Sequence, residues 1–462
     1  MRRILDLIRS ALDGSEKDYT KGSINRAIVL LSIPMVLEML MEALFAVVDV
    51  FFVAKIGTNA IATVGLTETV ITIIYSLAVG LSMAASAMVA RRVGEKKPEE
   101  AAEAAAQGIW IGLVFSLLLG VVGAWQAPNI LRLMGGSEEL IAEGVIYARI
   151  LLGTNVVIMM LFLLNGIFRG AGDASLAMRS LWLANGLNII LDPILIFGWG
   201  PFPEMGLAGA AIATSIGRGI GVIYQLYILF NGKGVVKVLR KHLRIQTTII
   251  IRLLRVASGG TSQHLIASAS WIFLMAIISN FFGEETVAGY TVAIRLVIFT
   301  ILPSWGMANA AATLVGQNLG AGLPERAEKS VWRAANFNVL FLLIVSFLFF
   351  FQGHFFIGLL TDVPSIIEAG ATCLRILSIG YVFFAYGMVV GQAFNGAGDT
   401  RTPTFINFIC FWMVEIPLSY LLAVTLNWGP AGVYWSIAIA ETLLAVLCIL
   451  VFRRGRWKLV KI

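Results

Sequence analysis

Of 462 residues, 58% are hydrophobic and only 13% charged, whereas a soluble domain carries about 25% charge. The net charge of +7 arises from 34 Lys and Arg against 27 Asp and Glu. These proportions exclude a soluble multidomain protein, a disordered chain, a coiled coil and a secreted disulfide scaffold, and leave a chain whose solvent is mostly lipid.

The chain opens with Met1–Leu12, basic and with an apolar stripe of Ile4, Leu5, Ile8 and Leu12. It lacks a long apolar core and a small-residue cleavage site, so it reads as an interfacial helix within a cytoplasmic segment over 1–25. A bilayer core about 30 Å thick takes roughly 20 apolar residues per helix. The apolar runs predict six spans at 26–55, 60–90, 102–126, 140–167, 176–198 and 206–230, forming a first lobe over 26–231. A Lys- and Arg-rich connection at 232–248 then reads as a cytoplasmic linker. Six further spans at 249–281, 286–316, 331–353, 365–393, 402–425 and 430–452 form a second lobe over 249–453, followed by a basic tail at 454–462. Runs such as Ile28–Val47 and Val339–Phe351 do not alternate, which excludes a transmembrane β-barrel. The predicted fold is an all-α integral membrane protein of twelve transmembrane helices.

Placing both tails and every second loop on one side gathers 28 of the 34 basic residues there and leaves Lys55 and Arg132 opposite. Arg149, Arg218, Arg295 and Arg375 fall within spans. The positive-inside rule then puts both termini in the cytoplasm. The basic charge reflects topology and a lipid-facing rim, not a nucleic-acid surface. Cys373, Cys410 and Cys448 all lie in spans, which implies no disulfide framework. His242, His264 and His354 are scattered without a second ligand at metal spacing, and no cofactor is expected.

The two lobes are copies at an offset close to 226 residues. Phe168-Arg-Gly-Ala-Gly-Asp173 returns as Phe394-Asn-Gly-Ala-Gly-Asp399, and Gly57, Gly80, Gly94, Pro98 and Arg149 return as Gly283, Gly306, Gly320, Pro324 and Arg375. Gly206-x-x-Gly209 matches Gly429-x-x-Gly432 at an offset of 223. Six spans per copy give both copies one orientation, so the repeat is parallel and pseudo-symmetric. Such two-lobed bundles are a transporter architecture, with rocking about a cavity between the lobes. The plainer reading is a duplicated bundle without transport. The Gly-Ala-Gly-Asp pair marks helix ends, where Asp173 and Asp399 are expected to cap the next helix.

Ionisable residues inside spans face a cavity or a partner. The first span carries Pro34, Glu38, Glu42 and Asp49, and the three acids lie within about 40° on one helical face. Pro34 removes a backbone bond and permits a bend. The fifth span places Asn188 and Asp192 one turn apart before Pro193. At about 1.5 Å per residue, Asp49, Asp192 and Thr214 share a depth about 9–12 Å inside the outer boundary. Two such acids in a low-dielectric pocket require a bound proton or a cation between them. The alternative is that Asn188 and Asp192 satisfy backbone groups freed by Pro193. The second lobe lacks the cluster: Met275 stands for Asp49, Trp412 for Asn188 and Ile416 for Asp192. Glu441 occupies the register position of Arg218, which suggests that these two neutralise each other. Met35, Met39 and Met41 suit either an adaptable cavity wall or ordinary packing. Glu42 fits either a cation-attracting cavity wall or the ion network. No part in the cation site is assigned to Glu38, Glu68, Glu415, Glu441, Arg149 or Arg375.

Ser32-Ile-Pro34, Val47-Val-Asp49-Val-Phe-Phe-Val53, the doubled Gly-Ala-Gly-Asp and Leu187-Asn188-Ile-Ile-Leu-Asp192-Pro193 together resemble the multidrug and toxic compound extrusion (MATE) family, most closely its archaeal and DinF-like branch. The resemblance implies a monomeric antiporter in the cell membrane that expels organic cations and other amphipathic compounds in exchange for protons or sodium. It implies a cation site at Asp49, Asn188, Asp192 and Thr214, the same set that would hold Na⁺; the residues of the first span separately suggest a substrate cavity at Met35, Met39, Glu42 and Phe45. Glu42 and Phe45 depart from the Gln and Tyr common in the family. The stretches Gln263–Ser270 and Phe384-Ala385 lack the acids of sodium-driven relatives, which favours protons. A lipid-linked saccharide flippase of the same superfamily is the competing reading, sustained by Arg149, Arg295 and Arg375. No paired histidines, Gly-x-Ser-x-Gly motif or Cys–His arrangement supports an enzyme.

Overall fold

A computed structural model describes residues 2–14, 18–232 and 234–462, with side chains from residue 5 onward. Met1 and the Ile4 side chain of the N-terminal stripe, residues 15–17 and Lys233 lie outside the described residues. Helix α1 (Arg2–Asp13) is amphipathic as expected, with Leu5 and Ile8 exposed and Ala11 buried.

Among the described residues, ten stretches are long and apolar enough to cross a bilayer, and a sharply bent pair makes an eleventh. Helix α2 (Ile24–Ala54), continuous through Pro34, completes twelve. The others of the first half are α3 (Thr58–Gly94), α4 (Pro98–Leu133), α5 (Glu138–Gly153) with α6 (Asn155–Ala171), α7 (Ala174–Phe197) and α8 (Gly206–Asn231). Those of the second half are α9 (Thr247–Phe281), α10 (Glu284–Gly320), α11 (Pro324–Gly358), α12 (Pro364–Ile379) with α13 (Tyr381–Ala397), α14 (Arg401–Thr425) and α15 (Pro430–Arg453). No β-strand occurs among the described residues.

The helices depart from smooth spans where backbone chemistry intervenes. The fourth is interrupted at Thr154 between α5 and α6, and α12 meets α13 at Gly380 with a bend of 59°. Helix α14 widens into π-helical turns over Phe408–Glu415 and Leu421–Thr425, flanking Pro417. Proline cannot donate the i→i−4 bond, and a wider turn accommodates its ring.

The duplication is physical. The Cα of Gly170 lies against the backbone of Ser86, and that of Gly396 against the backbone of Ala312, the same contact 226 positions later. Gly172 and Gly398 both end their helices in the left-handed conformation, at φ 87° and 86°. In each copy the following aspartate N–H bonds back to a phenylalanine carbonyl, Asp173 to Phe168 at 2.8 Å and Asp399 to Phe394 at 2.9 Å. This is a glycine-capped helix end, which satisfies carbonyls that would otherwise be orphaned. The acids then diverge. Asp399 accepts from the N–H (3.2 Å) and hydroxyl (2.7 Å) of Thr402 at the start of α14. Asp173 makes no side-chain cap bond to α7 and instead accepts from the N–H of Val235 at 2.9 Å, so the expected capping role holds only for Asp399.

The chain forms two compact units, one of residues 1–18 and 33–261, the other of 19–32 and 262–462. The division thus falls within α2, next to Pro34, and within α9, not at the 232–248 connection. That connection is docked on α4: Gln107 donates to the carbonyls of His242 (3.2 Å) and Arg244 (2.9 Å) and accepts from the N–H of Gln246 (3.1 Å). Trp110 donates to the carbonyl of Leu243 at 2.9 Å.

Candidate functional site

Within the first unit, α2 turns one polar stripe toward α6, α7 and α8. Glu38, Glu42, Phe45 and Asp49 follow at spacings of four, three and four, which keeps them on one face. Each acid meets a different environment.

Glu38, 1% exposed, accepts from Arg169 at 3.1 Å and Asn165 at 3.0 Å, both on α6. Arg169, from the duplicated motif, also donates to Ser82 of α3 at 3.1 Å. Arg169 therefore pairs with the innermost acid through Oε1, while Glu38 Oε2 is buried without a partner. Glu42 accepts from Arg218 of α8 at 3.0 Å and from Asn185 of α7 at 2.9 Å. The Arg218 guanidinium, 1% exposed, lies 5.1 Å from the Phe45 ring centre and 5.9 Å from that of Tyr75. Aromatic faces attract such a cation, so Phe45 serves as a seat for Arg218. Arg218 finds its counter-ion within its own unit, which replaces the pairing with Glu441 expected from the repeat register. Glu42 is correspondingly half of an ion pair and not a lone negative wall. Met35 is fully buried and Met39 partly so; packing, the plainer of the two readings of these methionines, accounts for Met35.

At the outer end no Lys or Arg lies within ion-pair distance of the acids among the described residues. Asn188 donates to Asp192 at 3.2 Å and to the Thr214 hydroxyl at 3.1 Å, tying α7 to α8. Asp192 is 0% and Asn188 1% exposed. One oxygen on each, Asp192 Oδ2 and Asn188 Oδ1, is buried without a partner. Asp49 stands in electrostatic range of Asp192, Glu68 and Arg218 and makes no hydrogen bond or ion pair among the described residues. Buried acceptors without donors are costly, and a proton or a small hard cation satisfies them. The oxygens of Asp49, Asp192, Asn188 and Thr214 are the ligand type that sodium accepts. No three His, Cys, Asp or Glu side chains group as a metal site among the described residues.

All four residues expected at the cation site thus belong to one neighbourhood, three of them linked by hydrogen bonds. Sequence reasoning did not find Arg169, Asn185 and Tyr75, nor Arg218 as the partner of Glu42. An arginine in the middle of an apolar span was the available signal, because such a charge requires an acid. Of the arginines linked to the flippase reading, Arg149, Arg295 and Arg375 are all exposed, and Arg375 donates to the carbonyl of Phe350 at 3.4 Å.

A duplicated bundle of twelve membrane-spanning helices with buried, unpartnered oxygens in its interior belongs to the class of secondary transporters. The MatE family model matches residues 34–194 and 263–421, one stretch in each half and together well over half of the chain. The chain belongs to the MatE family, the multidrug and toxic compound extrusion transporters, which are not enzymes. It is 26% identical over 449 residues to the probable multidrug resistance protein NorM of Thermotoga maritima, with 94% of this chain and 93% of that protein covered. It is 22% identical to the multidrug export protein MepA of Staphylococcus aureus, with 94% of each covered. A MATE transporter solved in a straight conformation matches with a TM-score of 0.88 at 28% identity, covering 95% of this chain and 96% of that one. These relatives lend no support to the flippase reading.

Proposed function

We propose that the protein is a multidrug efflux antiporter that exports organic cations and other amphipathic compounds by alternating access, driven by ions entering at Asp49, Asn188, Asp192 and Thr214. The observation that carries this reading is the pair of unpartnered buried oxygens on Asp192 and Asn188 beside the unpaired carboxylate of Asp49. A proton is the favoured coupling ion, with sodium taking the same oxygens as the alternative.

The chemistry follows from charge balance. With both aspartates ionised, Arg218 is attracted by Glu42, its hydrogen-bond partner, and by Asp49. Ion binding cancels the Asp49 charge and leaves Glu42 as the counter-ion that holds α8 to α2. That redistribution draws on the α2 stripe, whose inner part bends at Pro34, and alters the cavity wall formed by Met39, Phe45 and Glu42. Substrate is released before the lobes, 26–231 and 249–453, exchange access. The transporter works as a monomer in the cell membrane with both termini cytoplasmic.

Two isosteric variants test the assignment. Asp49→Asn and Asp192→Asn are each expected to abolish efflux of a dye cation driven by an imposed proton gradient, with an unchanged elution profile in detergent. Wild-type efflux rates in both variants would remove this mechanism.

A further inference from the structure

We propose that Glu415 forms a second proton-binding site, internal to the second unit, with Glu441 as the neighbouring acid that sets its proton affinity. The site is independent of the Asp49–Asp192 assignment, because the register counterparts of those residues in this unit are Met275 and Ile416. The acids of this unit occupy other positions: Glu415 corresponds to Leu191 and Glu441 to Arg218.

Glu415 closes the first π-helical stretch of α14, Phe408–Glu415, where α14 packs along α15. It is 3% exposed, and its Oε2 has no hydrogen-bond partner. Glu441 on α15 is partly exposed and within electrostatic range of Glu415. The groups facing the pair are Ser270 of α9, Tyr290 of α10, Cys410 of α14, and Cys448 of α15. None of these carries a positive charge. Neither glutamate has a Lys, Arg or His within ion-pair distance among the described residues. The contrast with the first unit is direct, since Glu38 and Glu42 each have an arginine.

A second observation points into the same place. The hydroxyl of Tyr290, a residue 1% exposed and in electrostatic range of Glu415, has no partner. Its ring stacks on Tyr434, 6.0 Å between centres and 3° between planes, and the Tyr434 hydroxyl is unpartnered too. Two neighbouring carboxylates without a cation cannot both stay ionised in a low-dielectric interior, so the pair retains a proton. The partly exposed Glu441 is the point of entry, and Glu415 holds the proton deeper, where a wide turn relaxes the backbone.

The test uses the full-length protein in lipid nanodiscs, with Asp49→Asn and Asp192→Asn removing the two aspartates of the proposed coupling site. Infrared difference spectra across a pH series read the carbonyl stretch of a protonated carboxylic acid directly. The expected result is a titrating band that Glu415→Gln removes, that Glu415→Asp retains, and whose midpoint Glu441→Gln moves. A spectrum unchanged by Glu415→Gln overturns the proposal. So does a band insensitive to Glu441→Gln, which would leave Glu415 titrating alone. Loss of the band on adding sodium chloride at constant pH overturns it as well, in favour of a metal cation. The background lacks both aspartates, so failure here leaves the coupling site of the first unit untouched.

Discussion

A guanidinium with 1% exposure in the centre of a transporter helix sets the energetics of its surroundings, and Arg218 does so through Glu42. Breaking a buried pair by removing one member costs about 3–5 kcal/mol, because the remaining charge is left without compensation. Arg218→Met is therefore expected to lower the free energy of unfolding in detergent by about that amount. The double variant Arg218→Met with Glu42→Gln should recover most of the loss, since a pair removed together leaves no buried charge. Equal losses in the single and double variants would show that Arg218 acts by packing against Phe45 and Tyr75 alone. At this scale the sequence disclosed one side of each contact. Helical spacing placed Glu38, Glu42 and Asp49 on one face of α2, and depth arithmetic brought Asp192 and Thr214 to the level of Asp49. The partners Arg169, Asn185 and Arg218 come from other helices, and which residues of α6 to α8 face α2 is set by packing rather than by periodicity. The cluster at Glu415 and Glu441 was visible only as two acids in apolar spans, because its lack of counter-charge is a tertiary fact.

The duplicated Phe-x-Gly-Ala-Gly-Asp element was legible as a repeat, and its geometry explains why those glycines recur. Gly172 and Gly398 occupy left-handed backbone that costs other residues about 1–2 kcal/mol. Gly172→Ala and Gly398→Ala are each expected to destabilise the protein by about that amount, measured as a shift in thermal unfolding. Gly170 and Gly396 answer to a different constraint, the close approach of α6 to α3 and of α13 to α10. Small residues permit such approach between membrane helices. Gly170→Val should therefore displace helices and abolish recovery of folded protein, in contrast to the milder Gly172→Ala. Similar behaviour of the two variants would contradict this separation of roles. The breaks at Thr154 and Gly380 and the π-helical turns around Pro417 were not legible. An apolar run has the same composition whether its helix is straight, bent or widened.

For the whole molecule, hydropathy and the repeat were sufficient for twelve spans in two halves, because bilayer thickness fixes helix length whatever the packing. The division into compact units was not legible, as it falls inside α2 and α9, where no loop composition marks it. The charge asymmetry predicts that a fluorescent protein fused after Ile462 folds and fluoresces in the cytoplasm, as does one fused at the N-terminus. A dark fusion at either end, with full-length protein present, would reverse the orientation.

Transport in proteoliposomes, with proton and sodium gradients imposed one at a time, tests most directly whether ions entering beside Asp49 and Asp192 drive export. The prediction is dye-cation movement against its gradient when protons alone flow in the opposite direction, lost in Asp192→Asn. Transport that continues with both gradients collapsed, or that survives Asp192→Asn unchanged, would contradict it.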